Sequence, residues 1–439
     1  MSRPRILLIS YLFPPMGGIG VQRALSIARY LPEMGFELHV LRAPNAAGPV
    51  MDPALVNLVP EDVRVHGAFT PEIPFALRQK AWQWLNRAKT KPATATATAA
   101  PVASKRQPLL GRIIRKVLAP EPEILWVPFA LRAAKRIIRQ HRIDAVIVTA
   151  PPFSAFVVGS KLKRIFPQVK FIADFRDEWL EFYLNNNAFQ NNPYARKRAV
   201  EIERETIESA DAVISVTDMS LATIRKRYPE QPDAKFHRIA NGYDPAAFTG
   251  FKARGNGAPK LIVTHMGTAY LNSSPRYYAA ALNGLPQDVR DGILTRFVGR
   301  VEDTEKEFLQ GTKSEIQLLG FMPQKKALGY LEDTDYVLMT MTDKISMPGK
   351  AYEYLATGKP FLTIAAPDSE VGNFIRQTEA GYCADPDNVE EIRAMLLKAF
   401  EGKRQGLTPP APKASVVAQY ARPQLVQQFA DLLNKTIAR

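Results

Sequence analysis

Two successive α/β domains of the doubly wound, Rossmann-like kind are predicted by three features of this 439-residue sequence. Short apolar runs alternate with helical patterns along most of the chain, which is the signature of parallel βαβ units. The alternation pauses over 246–259, a stretch rich in Gly, Lys and Ala without an apolar run, and then begins again. A hydrophobic content of 46% is enough for two or three domains with real cores. The expected organisation is therefore an amino-terminal domain over 1–245, a linker over 246–259, a second domain over 260–415 and a terminal helix over 416–439.

In the first domain, Arg5–Tyr11 reads as a buried strand. Phe13-Pro-Pro-Met-Gly-Gly-Ile-Gly20 then turns into a helix over 21–34, where Ala24, Leu25, Ile27, Ala28 and Leu31 recur at helical spacing. Phe36–Leu41 is the next strand. Gly17, Gly18 and Gly20 let backbone approach a phosphate or sugar and aim a helix N-terminus at it, although glycines also simply make turns. Their spacing is not the dinucleotide fingerprint.

Charge is distributed unevenly. Of the net +15, a balance of +13 falls between Arg78 and Arg142, with fifteen Lys/Arg against Glu121 and Glu123. Such a concentration points to an anionic partner. Residues 88–107 are low-complexity and read as a flexible loop inside a basic insertion over about 78–125. Beyond it, Leu109, Leu110, Ile113, Ile114 and Val117 share one helical face and Arg112, Arg115 and Lys116 the other; Trp82 and Trp84 stand just upstream. The pattern suits a peripheral helix on an anionic membrane surface. It equally suits a helix packed on its own domain with a solvated basic face. No recognition motif supports nucleic acid as the partner.

Asp144–Thr149 and Lys170–Ala173 read as strands around a helix at 154–165. The second ends in Asp174-Phe-Arg-Asp-Glu-Trp179, and polar groups at the carboxyl ends of strands in open α/β sheets lie where such folds bind ligands. Asp174, Arg176 and Asp177 are thus the candidates for reaction chemistry. A carboxylate there could orient or deprotonate an acceptor hydroxyl, and the arginine could pair with phosphate. A helix-capping Asp–Arg ion pair is the plainer alternative. A helix over 195–209, the strand Asp211–Val216, a helix over 218–227 and the strand Phe236–Ala240 complete the domain, which closes on Asn241-Gly-Tyr-Asp244.

The second domain opens with Lys260–Gly267, whose terminal Gly267 leads through Thr268–Ser274 into a helix. Strands near 294–298, 316–319 and 335–340 follow, with helices near 303–310, 323–331, 348–357, 369–377 and 388–401. Within it stands Pro-Gly-Lys-Ala-Tyr-Glu-Tyr-Leu-Ala-Thr-Gly-Lys-Pro (348–360), then the strand Phe361–Ile364. Pro348 opens this helix, and Gly358 with Pro360 stops it. Lys350 and Glu353 share one face near its start, where a cation meets a diphosphate and a carboxylate accepts ribose hydroxyl protons. A simple surface i,i+3 ion pair is the alternative. The final amphipathic stretch is Gln424–Ile437.

The segment 348–360 resembles the donor-nucleotide helix of family 4 retaining glycosyltransferases of the GT-B fold, in which Lys-x-x-Glu-Tyr-x-x-x-Gly-Lys-Pro is typical. Phe13–Gly18, Asp174–Trp179 and Asn241–Asp244 resemble further segments of that family. The resemblance covers most of both domains except the basic insertion. It implies a GT-B architecture, with the active site in a cleft between two Rossmann-like domains and a terminal helix crossing back to the first. It implies that Glu353 holds the ribose of a nucleotide-sugar donor, that Gly17, Gly18, Gly20, Gly267 and Lys350 serve the donor, and that a hexose is transferred with retention. Two departures stand out: many members carry a second Glu where Ile345 stands, and better-known members carry a His in the loop of Asp177.

No His/Cys ligand cluster stands along the sequence, so no essential metal or other cofactor is expected beyond the nucleotide sugar as co-substrate. Cations and helix N-termini would instead stabilise the leaving diphosphate. The single Cys383 excludes an internal disulfide framework and fits a reducing compartment, and no run reaches the roughly 18 apolar residues that span a bilayer. A cytoplasmic protein, peripheral on the inner membrane face and acting on a lipid-linked or cell-envelope saccharide as in lipopolysaccharide or other polysaccharide assembly, is the resulting expectation. A GT-B nucleotide-sugar epimerase and a non-catalytic membrane-associated scaffold are the alternatives.

Overall fold

The computed structural model describes residues 3–46, 50–71, 116–184, 192–255 and 257–438. The loop expected over 88–107 and the tryptophans at 82 and 84 lie outside these residues, as does all of the amphipathic stretch 109–117 but Lys116 and Val117. The chain divides into two compact units: residues 1–216 with 223–238 and 426–439, and residues 217–222 with 239–425.

Among the described residues the first unit holds seven parallel strands, β1 (Arg5–Ser10), β2 (Glu37–Arg42), β3 (Arg64–Gly67), β4 (Ala145–Ala150), β5 (Lys170–Phe175), β6 (Ala212–Ser215) and β7 (Phe236–Arg238), in the order β3-β2-β1-β4-β5-β6-β7. Ile6 to Ile9 of β1 and Ile147 and Val148 of β4 are wholly buried. Continuous apolar strands of this kind belong to a sheet covered on both faces. The described helices of the unit are α1 (Ile19–Tyr30), α2 (Val127–His141), α3 (Phe156–Ile165), α4 (Pro193–Ser209) and α5 (Asp218–Arg227), whose first residues to Ala222 group with the second unit. The helix expected to run to residue 34 stops at Tyr30, with a 3-10 turn over Pro32–Met34, because a proline has no N–H to give and its ring collides with the preceding turn.

The second unit has six parallel strands, β8 (Leu261–Met266), β9 (Ile293–Val298), β10 (Glu315–Gly320), β11 (Tyr336–Thr340), β12 (Phe361–Ile364) and β13 (Gly381–Ala384), in the order β10-β9-β8-β11-β12-β13. Its helices are α6 (Arg276–Asn283), α7 (Gln287–Asp291), α8 (Asp303–Gln310), α9 (Gln324–Glu332), α10 (Lys350–Ala356), α11 (Glu370–Thr378), α12 (Val389–Arg404) and α13 (Ala414–Gln419). Leu261, Tyr278, Leu282, Phe297, Leu338, Leu362 and Leu396 join strands and helices in one core. Arg254, within the stretch 246–259, donates its backbone N–H to Glu332 O at 2.7 Å, where α9 ends.

α14 (Arg422–Ile437) closes the chain, and from Val426 it belongs to the first unit. Phe429, Ala430 and Leu433 are buried, and the Arg23 guanidinium of α1 lies over the Phe429 ring at 4.9 Å. No helix among the described residues is long and apolar enough to cross a membrane.

Candidate functional site

In the first unit the three residues after and within the end of β5 have different fates. Asp174 is fully buried, and Arg23 of α1 grips its carboxylate with Nε and Nη2 at 2.8 to 3.1 Å. Thr149, its register partner on β4, donates its hydroxyl at 2.7 Å. A fork-on-fork ion pair of this sort satisfies both charges. Asp174 therefore braces α1 against the sheet, and the expected reaction role does not fit its surroundings. Arg176 is likewise a brace: its guanidinium donates to the carbonyls of Ala150, Pro151 and Gly20, which ties the β4 turn to the start of α1 and leaves the expected phosphate pairing unsupported. Asp177 is the exception. It is partly exposed and has no hydrogen-bond partner among the described residues, and burial raises its carboxyl pKa against the opposing charge of Arg176.

The three glycines before α1 also separate. Gly17 donates to Val50 O at 3.0 Å, and a Cβ there would lie 3.0 Å from the Asp52 Cβ, so its task is close backbone approach. A Cβ on Gly20 would meet Leu12 at 2.9 Å. Gly18 alone faces open space, with φ of 86° at the uncapped start of the helix, a conformation that L side chains rarely adopt.

In the second unit Gly267, Lys350 and Glu353 are brought together. Gly267 follows β8 with φ of 117°, and a Cβ on it would sit 3.5 Å from the Lys350 Cδ. Gly299, which follows β9, packs so closely that its Cβ would strike Gly267 O at 2.3 Å. Lys350 is the first residue of α10. Its Nζ donates to Ser273 Oγ at 2.7 Å and stands 3.2 Å from His265 Nε2. The buried His265 has its Nδ1 3.3 Å from Leu338 O. Burial and the lysine charge hold its pKa well below the ordinary value, so the imidazole is neutral, with Nδ1–H donating to Leu338 and Nε2 accepting from Lys350. Burial pulls the Lys350 ammonium down to about 7.

Glu353 is partly exposed one turn on, and its Oε1 accepts from Gln324 Nε2 at 3.1 Å. Burial raises its pKa, opposed by Arg422 and Gln324. Lys350 turns to His265 and Ser273 and Glu353 to Gln324, so the plain i,i+3 surface pair is not what the helix carries. Each is left to serve something else: one ammonium proton beyond Ser273 and His265, and one carboxylate oxygen beyond Gln324. Tyr354 fixes the helix against β8, its hydroxyl accepting from Met266 N at 2.5 Å and donating to Met266 O at 3.0 Å.

His265, Ser273 and Gly299 were not singled out from sequence; a histidine two residues before a strand-end glycine was the one available signal. Two Asp-x-Asp pairs occur, but Asp333 accepts from Arg296, Asp335 from Lys403 and Ile262, and Asp385 from the Asp387 N–H. Arg276 is engaged with Ser274 and, at 3.6 Å, with Glu305.

Residues 83–247 match the family model described as glycosyltransferase family 4. No curated protein matches the chain. Among solved structures, HepE of Anabaena in complex with UDP is similar over 98% of this chain and 100% of its own, with TM-score 0.60 and 14% identity. The α,α-trehalose 6-phosphate synthase of Burkholderia multivorans is similar over 100% and 98%, with TM-score 0.63 and 10% identity. WaaG, a glycosyltransferase involved in lipopolysaccharide biosynthesis, is similar over 98% of both chains, with TM-score 0.55 and 13% identity. At these identities the likeness is one of fold: the chain has the two-domain, Rossmann-like GT-B architecture.

Proposed function

We propose that this protein is a glycosyltransferase that moves a hexose-type sugar from a nucleoside-diphosphate sugar to an acceptor hydroxyl, with retention at the anomeric carbon. The observation that carries this reading is the arrangement at Gly267. There a partly enclosed lysine is hydrogen-bonded to a neutral histidine and a serine beside a strand-end glycine, with a carboxylate one helical turn away. Lys350 and Ser273 suit a diphosphate, and Glu353 suits a pair of ribose hydroxyls. HepE binds UDP in its own crystals, and the match to glycosyltransferase family 4 agrees with the same chemistry. Asp177 is assigned the acceptor hydroxyl, which it orients and deprotonates. Developing charge on the leaving diphosphate is met by protein cations with no essential metal.

The test is calorimetric titration with UDP, GDP, dTDP, ADP and CMP. One of them binds, and Glu353→Ala weakens that binding by about 1–3 kcal/mol, the loss expected for a charge-assisted hydrogen bond. Absence of binding by every nucleotide overturns the proposal.

The acceptor is proposed to be a lipid-linked or envelope saccharide met at an anionic membrane surface. Arg132, Arg136 and Arg139 lie exposed along α2, and the exposed Phe129 of that helix meets the exposed Phe69 edge-on at 5.9 Å. Each such cation near an anionic surface is worth about 1 kcal/mol. Changing the three arginines to glutamate abolishes co-sedimentation with phosphatidylglycerol vesicles; undiminished sedimentation removes the membrane from the reading.

A further inference from the structure

Three of the five histidines meet at one margin of the first unit's sheet. On β2, Glu37 and His39 point to one face, and on the edge strand β3 so do Arg64 and His66, because alternate residues share a face. The register sets His39 opposite Arg64 and Leu41 opposite His66, so the two histidines are diagonal neighbours. His141 is the last residue of α2, and its ring centroid lies 4.3 Å from that of His39. One ring nitrogen from each of the three falls within 4.8 Å of the others.

The details are those of a ligand set. His39 Nδ1 and His66 Nε2 stand 3.0 Å apart. Two imidazole nitrogens on one tetrahedral zinc, each at 2.0–2.1 Å from the ion, are roughly 3.3 Å apart. The other nitrogen of His39 lies 3.2 Å from Glu37 Oε1, the carboxylate–imidazole relay that orients a metal-bound histidine. His39 is wholly buried, and His66 and His141 are partly so. Two cations stand close: Arg64, whose guanidinium lies 3.2 Å from both His141 Nδ1 and Glu37 Oε1 but whose side chain is 55% exposed and can swing into solvent, and the exposed Arg136 of α2, whose charge bears on His66.

We propose that His39, His66 and His141 bind a divalent transition metal of the zinc class, with Glu37 orienting His39 and the fourth position open to water or an external ligand. Imidazole suits zinc, copper and nickel, whereas magnesium and calcium take oxygen. The ion would pin the edge strand β3 to the end of α2, and the donor chemistry of the second unit does not require it.

The test uses the full chain, stripped with chelator and titrated with zinc chloride by calorimetry. One equivalent binds, and zinc at a hundredfold excess over its Kd raises the melting temperature of the first unit by roughly 5–10 °C. His66→Gln and His141→Gln, both at partly exposed positions, each weaken binding at least tenfold while melting like the wild type without metal. Should either variant fail to fold, cobalt(II) added to the wild type decides: visible bands of a four-coordinate imidazole site are expected. No zinc binding, binding unchanged in both folded variants, or a cobalt spectrum of the hydrated ion overturns the site.

Discussion

Replacing Lys350 by methionine raises the melting temperature of the second unit and weakens its affinity for a nucleoside diphosphate at least tenfold. The two effects share a cause. Burial lowers the ammonium from its ordinary 10.5 to about 7, so between those values the unfolded chain binds more protons than the folded one. Stability therefore rises with pH across that window, and at pH 7 and below the charged lysine costs the fold on the order of 4 kcal/mol. Methionine relieves that cost but leaves His265 Nε2 and Ser273 Oγ without their donor, a loss of about 1–3 kcal/mol. The net gain is about 1–3 kcal/mol, larger at pH 6 than at pH 9. Melting curves at the two pH values check it, and a decrease at both would make Lys350 an ordinary structural residue. Binding moves the other way. A diphosphate favours the protonated amine, so affinity weakens as pH rises above 7, approaching tenfold per unit for one linked proton. In the methionine variant affinity is at least tenfold lower and this pH dependence is absent.

Lys350 and Glu353 were legible in the sequence because their relation is local: three residues on one helix, bounded by Pro348, Gly358 and Pro360. What holds Lys350 was not legible, since Ser273 and His265 reach it from 77 and 85 positions away. The same limit applies to Asp174. Its place at a strand end could be read, but the Arg23 that neutralises it lies 151 residues earlier and looks like any other polar residue of an amphipathic helix. The alternating strands and helices of both sheets could be read because their strands are continuous apolar runs. Two of the four edge strands could not: β3 is mostly exposed, and β13 is Gly-Tyr-Cys-Ala with only Ala384 fully buried. Histidines 39, 66 and 141 make no pattern along the chain and become a cluster only when β2, β3 and α2 are assembled.

Asp177→Asn lowers kcat by about 10²–10⁴ while leaving nucleotide affinity unchanged. Among Asp174, Arg176 and Asp177, only Asp177 offers a side chain not already engaged by hydrogen bonds within the described fold. Burial raises its pKa, which makes it a stronger base than an exposed aspartate and a costlier one to keep ionised. With the folded pKa above the unfolded value, the stabilising effect of the bound proton is lost as pH rises through the raised pKa, so at neutral pH the charged carboxylate is a net cost. Asparagine removes that charge, and the variant melts at or above the wild-type temperature. The rate of the wild type falls as pH drops through the raised pKa, because the base is then protonated, and this acidic limb disappears from the residual activity of the variant. Asp174→Asn behaves oppositely: it leaves Arg23 buried without its counter-charge and destabilises the first unit by about 3 kcal/mol or more. Loss of rate with intact folding at 177, against loss of folding at 174, distinguishes the reacting carboxylate from the bracing one. A variant at 177 that keeps full kcat removes Asp177 from the chemistry and leaves the first unit without an assigned base.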